Sequence, residues 1–149
     1  MRLIKFRGKT TDGRWLFGDL THSASDILIH SEGSTVGVPV VEKTVGQFTG
    51  IVDSKRIQIF EGDVLEHENE RWLVCFKSGA FLLVRISSVS PFEGVKPITE
   101  MPPYQSWYVI GNIFDNEEFI STFDALCKKE CERVRNKERR NKIRRHIFS

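Results

Sequence analysis

Alternation of apolar and polar residues is the strongest pattern in the chain, and it predicts a succession of short β-strands. Residues 71–77 (RWLVCFK) and 80–86 (AFLLVRI) are rich in aromatic and β-branched side chains. The Ser78-Gly79 pair between them is typical of a two-residue hairpin turn. The predicted strands are residues 2–7, 14–20, 26–30, 36–42, 56–60, 63–66, 71–77, 80–86 and 106–113.

Prolines modify this pattern at two places. Pro39 lacks the N–H that a central strand needs, so residues 36–42 are predicted at a sheet edge or a bulge. Residues 87–105 hold four of the five prolines and have no periodicity, which predicts a surface loop.

The periodicity becomes helical at Asp115. Asp115 and Glu118 have the spacing of a capping box, and Phe119, Phe123 and Val134 recur at helical intervals. The sequence therefore predicts a mainly β domain over residues 1–114, a small barrel or sandwich with SH3-like elements. A C-terminal α-helix with a basic tail is predicted over residues 115–149.

The most patterned segment is VGQFTGIVDSKRIQIFEGDVLE, residues 45–66. Asp53 suits a turn, because its carboxylate can accept hydrogen bonds from the backbone two residues on. Glu61 and Asp63 alternate across Gly62, so in a strand their side chains would share one face. Two such carboxylates could serve acid–base catalysis or bind a hard metal ion. The interpretation favoured here is a strand entry with its charges kept in water at a corner.

Three motifs in this order resemble the YopX-like family of small phage and prophage proteins. The first is Ile4-Lys5-Phe6-Arg7-Gly8, and the last is residues 109–118, VIGNIFDNEE. The central motif is carried by the following residues: Gly46, Gln47, Phe48, Thr49, Gly50, Asp53, Ile59, Phe60, Glu61, Gly62, Asp63 and Val64.

The resemblance covers about residues 1–122 and implies a mainly β, YopX-like fold in a mobile-element context, with no known activity. One departure concerns the turn after Asp53. The family commonly has Asp-x-Asn-Gly there followed by Lys or Arg, whereas this chain has Ser54-Lys55-Arg56 and no glycine.

Charge is distributed unevenly along the chain. Residues 128–145 hold ten Lys or Arg and three Glu, a net charge of +7. Because the whole chain carries +2, the remainder carries −5. A mildly acidic body with a basic tail is therefore predicted.

The basic tail is the best functional lead, since cations on a helix without an apolar stripe attract nucleic-acid phosphates without sequence specificity. The predicted contact residues are Lys128, Lys129, Arg133, Arg135, Lys137, Arg139, Arg140, Lys142, Arg144 and Arg145. The alternative is a protein-interaction or self-assembly module with no nucleic-acid role, which includes a homo-oligomer. A further interpretation, without any binding role, is that the tail is a helix end exposed to solvent.

Known catalytic signatures are absent from the sequence. It has no phosphate-binding or dinucleotide-binding loop, no HExxH and no paired CxxC. Cys75 lies among apolar residues and is predicted to be a buried thiol, while Cys127 and Cys131 alone are too few to bind a metal ion. We therefore expect no catalytic residues, no metal, no cofactor and no small-molecule substrate.

Cell compartment is inferred from what the sequence lacks. It has no signal-peptide pattern and no apolar run near the roughly 18 residues that a membrane span requires. The expectation is a non-membrane protein of the bacterial cytoplasm, with its three cysteines reduced.

Overall fold

The computed structural model describes residues 1–86, 94–101 and 106–119. In these ranges the chain forms eleven β-strands: β1 Phe6–Lys9, β2 Trp15–His22, β3 Ile27–Ser31, β4 Val38–Val40, β5 Gly46–Val52, β6 Gln58–Phe60, β7 Asp63–His67, β8 Glu70–Lys77, β9 Ala80–Arg85, β10 Val95–Pro97 and β11 Tyr108–Asn112. Residues 117–119 are helical. A mainly β fold is thereby confirmed, whereas most of the predicted C-terminal helix lies outside the described residues.

The strands form two antiparallel sheets. Sheet one has the order β4-β3-β2-β1-β5-β6, and sheet two has the order β10-β9-β8-β7-β11. β4 contains Pro39 and lies at an edge of sheet one, as predicted. The segment that carries the central motif contributes β5 and β6 to one sheet and β7 to the other, so it passes from sheet to sheet at Glu61-Gly62.

The predicted hairpin between β8 and β9 is confirmed. Ser78 and Gly79 have φ of 53° and 79°, which two-residue hairpin turns require and which matches the right-handed twist of the strands. The register pairs Lys77 with Ala80 and Trp72 with Arg85. Because these contacts are local in sequence, the hydrophobic pattern alone identifies them.

The main core is built largely from sheet two, and Ile59 of sheet one joins it. The core consists of Ile59, Leu65, Trp72, Val74, Leu83, Ile98 and Trp107. Successive side chains of β8 point to opposite faces of the sheet, and Trp72 and Val74 belong to this core. Leu73, between them, packs with Val64 and Phe119 in a second cluster. Cys75 is half-buried beside that cluster, so the prediction of a buried thiol was too strong.

The prediction of a surface loop over residues 87–105 was wrong for its described part. Residues 95–97 form β10, which pairs with β9, and a 3-10 turn over Ile98–Glu100 follows. The turn places Ile98, 4% exposed, in the main core. A three-residue edge strand is too short to show periodicity, and Pro97 is tolerated because it ends the strand at the sheet edge. Residues 87–93 and 102–105 lie outside the described residues.

No helix in the described part of the chain is long and apolar enough to cross a bilayer.

Asp53 organises the turn between β5 and β6 as predicted. Its Oδ1 accepts hydrogen bonds from the N–H groups of Lys55 and Ile57, each at 2.8 Å. Arg56 has a φ of 64°, so this arginine occupies the left-handed conformation at the position where the family commonly has glycine. A residue with a Cβ is strained there by about 1–2 kcal/mol.

We therefore predict that Arg56→Gly stabilises the protein by roughly 0.5–1 kcal/mol. Glycine relieves the backbone strain at this position, but part of that gain is lost because glycine gives the unfolded chain more conformational entropy. Urea unfolding followed by tryptophan fluorescence measures the change. Lys55→Gly is the matched control, because the neighbouring exposed residue has no positive φ and should lose roughly 0.5–1 kcal/mol. Equal effects of the two substitutions would contradict this account of the turn.

Candidate functional site

A buried ion pair joins the two sheets at the point where the sequence motifs meet. Nη2 of Arg7, in β1, lies 2.8 Å from Oδ1 of Asp63, the first residue of β7. The two side chains are only 8% and 3% exposed. The first and central motifs are therefore in direct contact across the sheet boundary.

Aromatic rings enclose the Arg7 guanidinium. Its central carbon lies 4.7 Å from the ring centroid of Trp15 and 5.1 Å from that of Phe60, distances typical of cation–π contacts. Nη2 also donates to the carbonyl of Glu61 at 3.2 Å. Nε has no hydrogen-bond partner among the residues that the structure describes.

Both carboxylate oxygens of Asp63 have partners within the protein. Its Oδ2 accepts a hydrogen bond from the N–H of Phe60 at 2.8 Å, while Oδ1 faces Arg7. Burial raises the pKa of the Asp63 carboxyl, and the Arg7 charge and the Phe60 N–H offset part of this effect. Burial also raises the pKa of half-buried Glu61. The expectation that both charges stay in water at a corner was therefore wrong, because Asp63 serves as the internal counterion of Arg7.

The other motif residues build the strands around this pair. Gly46, Gln47, Thr49 and Gly50 lie in β5, Asp53 begins the next turn, and Glu61, Gly62 and Asp63 form the corner into β7. Two of the glycines permit close approach. A Cβ on Gly46 would lie 2.6 Å from the Glu61 carbonyl oxygen, and one on Gly62 would lie 2.8 Å from the Phe114 ring.

Asp53 connects the central motif to the closing one. Its Oδ2 accepts a hydrogen bond from the N–H of Val109, in β11, at 3.0 Å. The N–H of Ile113 donates to the carbonyl of Gly62 at 3.0 Å, a second link between the same two motifs. The closing motif is thus attached to the corner by backbone and side-chain hydrogen bonds.

Asp115 connects the closing motif to the first hairpin. Its carboxylate accepts hydrogen bonds from Lys9 Nζ, from Trp15 Nε1 at 2.8 Å and from Asn112 Nδ2 at 2.9 Å. Partial burial alone would raise the pKa of Asp115, but the donors outweigh it and lower the pKa to about 2. We call this arrangement the Asp115 clasp.

A surface hollow of about 330 Å³ opens beside Arg7 and Asp63. Its apolar lining is Phe17, Ile57, Phe60 and Val109, and its polar lining includes Arg56, Gln58 and Asn112. A second and larger groove of about 870 Å³ adjoins the hollow, and Phe17 and Gln58 line both. This second groove carries Asp19 and Glu32.

The hollow combines residues that are far apart in sequence, and sequence reasoning did not single out Phe17 or Arg56 as site residues. One signal was available for the ion pair beneath it. Asp63 is a charge directly before the apolar residues Val64 and Leu65, which is unusual unless the charge is paired. The ten predicted phosphate-contacting cations of segment 128–145 all lie outside the described residues.

The Arg7–Asp63 pair predicts a large effect of neutralising one partner. Asp63→Asn leaves the Arg7 charge buried without a counterion, and we expect a loss of roughly 3–5 kcal/mol in the free energy of unfolding. Adding Arg7→Met to this variant removes the uncompensated charge and should recover part of the loss. Urea unfolding of the wild type, both single variants and the double variant measures the coupling, and purely additive losses would contradict a direct pair.

The Asp115 clasp predicts a pH dependence. Because folding lowers the pKa of Asp115 from 3.8 to about 2, its contribution to stability is present above pH 4 and lost as pH falls towards 2. The side chain is 37% exposed, so solvent screening reduces this contribution to about 1 kcal/mol or less. Asp115→Asn should destabilise the protein at pH 6, and the deficit should shrink between pH 4 and pH 2 in urea unfolding. A deficit independent of pH would contradict the prediction.

Comparison with known proteins identifies one family. The model of the family described as YopX protein matches residues 5–121. No curated protein matches the chain. The match includes the first motif from Lys5 onward, the whole of the other two motifs, and every residue of the ion pair and the clasp. The chain therefore belongs to the YopX protein family.

Proposed function

We propose that this YopX-family protein is a non-enzymatic accessory protein of phage or prophage origin, which binds nucleic acid through residues 128–145 in the cytoplasm of a bacterial host. The observation that carries the proposal is the charge of this segment, +7 over 18 residues in a chain whose remainder is −5. Such a charge density attracts phosphates and releases their condensed counterions.

The state of the acidic residues supports a binding role over catalysis. A general acid or base must reach a substrate with an available carboxylate oxygen. Asp63 instead uses both oxygens, one in the ion pair with Arg7 and the other in accepting a hydrogen bond from the N–H of Phe60. One of the two carboxylates that first suggested catalysis therefore holds the strands together.

The expected binding mode is independent of base sequence. Cations that contact the phosphate backbone position a protein on nucleic acid but do not read its bases. Affinity should then fall steeply as salt rises, with a slope of log K against log salt of about −0.9 for each phosphate contacted on duplex DNA.

The second candidate is the protein-interaction or self-assembly module. It is favoured by exposed apolar side chains near the two hollows, of which Leu3 is 58%, Ile4 53% and Ile57 52% exposed. Apolar patches of this kind often mark protein contacts. Light scattering over a range of protein concentrations distinguishes self-assembly from a monomer.

Neutralising the basic segment tests the first proposal. We predict that replacing Arg133, Arg135, Arg139, Arg140, Arg144 and Arg145 with Gln weakens binding to random-sequence duplex DNA by at least about 100-fold at low salt and flattens the salt slope. Fluorescence anisotropy of labelled duplex at several salt concentrations measures both.

The control is a variant that makes the same segment more positively charged. Replacing Glu130, Glu132 and Glu138 with Gln should tighten duplex binding, because three repulsive charges are removed. Unchanged affinity in the arginine variant would overturn the proposal, as would a wild type that does not bind duplex at any salt concentration.

A further inference from the structure

We propose that the hollow beside Arg7 accepts one unstacked base of a single-stranded nucleic acid, which stacks on Phe17 while its phosphate contacts Arg56. The inference rests on the proposed function, because a base enters the hollow only if the protein engages a strand. It goes further, because it places a base-binding site on the β-sheet domain and gives the protein a preference for single strands.

Phe17 provides an exposed aromatic surface. It lies in β2, is 40% exposed and lines the hollow. Its ring packs edge-on against the buried Phe60, with centroids 5.5 Å apart and an angle of 63°. The ring is therefore held in place before any ligand arrives. Because every base has a flat π-face, stacking on a fixed aromatic ring tolerates all four.

Polar groups of the hollow suit the edge of a base. Oε1 of Gln58 accepts a hydrogen bond from Lys5 Nζ at 3.2 Å. This contact orients the amide, and its Nε2 group makes no hydrogen bond with any other described residue. Every base presents acceptor atoms on its edges, so a free N–H donor at this place does not select among them.

Two cations belong to the surroundings of Phe17. The Arg56 side chain is exposed, lines the hollow and forms no ion pair within the described ranges. Nζ of Lys5 lies 5.7 Å from the Phe17 centroid. A positively charged groove with an exposed aromatic ring is the combination by which proteins bind a single strand, with the base on the ring and its phosphate on a cation.

Local electrostatics favour one path for the strand. Asp63 does not repel a phosphate strongly, because Arg7 neutralises it at 2.8 Å. The larger groove is lined by Lys5, Asp19 and Glu32, whose charges sum to −1, so it disfavours phosphates. The backbone should therefore run through the hollow, which Arg56 lines.

The test compares single and double strands on the full chain. The probes are a fluorescein-labelled oligothymidylate of about twelve nucleotides and a duplex of equal length, measured by anisotropy. Phe17→Ala should weaken oligothymidylate binding about fivefold or more, the loss expected for one stacked base, and leave duplex binding unchanged. Phe17→Leu keeps apolar bulk but lacks the aromatic face, so it should show the same selective loss even if the Ala variant unfolds.

Phe76→Ala is the matched control. Phe76 is 49% exposed and also packs against a second phenylalanine, Phe81, but it lies in β8 away from the hollow. The Phe76→Ala variant should bind both probes as the wild type does. Arg56→Gln should lower the salt slope for oligothymidylate by about 0.7, the value for one phosphate of a single strand.

The possible outcomes separate this inference from the proposed function. If both Phe17 variants bind oligothymidylate as the wild type does, while the arginine variant of the basic segment loses duplex binding, the base site is overturned and the proposed function stands. Equal losses on both probes would also overturn the base site. If the wild type binds neither probe, both proposals fail together.

Discussion

The ion pair between Arg7 and Asp63 is the constraint on which the arrangement of the two sheets depends. Two opposite charges, 8% and 3% exposed, face each other where sheet one meets sheet two. Each charge is costly to bury alone, so any displacement of one sheet relative to the other separates them at a large penalty. The pair thereby specifies a single relative position of β1 and β7, which apolar packing, being non-directional, specifies less strictly.

The three motifs of the family converge on this junction. Arg7 belongs to the first motif and Asp63 to the central one, while Asp53 and Asp115 hold the closing motif against both. Each contact uses a carboxylate as an acceptor of several hydrogen bonds. The motifs are thus explained by folding chemistry, and residues outside the motifs, such as Phe17 and Arg56, line the adjacent hollow.

The sequence pattern predicted contacts between residues that are close in sequence and missed contacts between residues that are far apart in sequence. The β8–β9 hairpin and the Asp53 turn depend on neighbouring residues, and both were predicted. The burial of Asp63 was not predicted, because its partner lies in another motif and alternation alone places a charge in solvent. β10 was missed because three residues show no period. The hollow is invisible in sequence, since four separate segments contribute its walls.

The Asp115 clasp has a consequence for how the protein can be redesigned. It ties residue 115 to Lys9 and Trp15, so the closing motif is attached directly to the first hairpin. A substitution at either end of this contact therefore acts on two parts of the chain that are about a hundred residues apart. Protein engineers who alter the first hairpin must keep Lys9 and Trp15 if the closing motif is to stay in place.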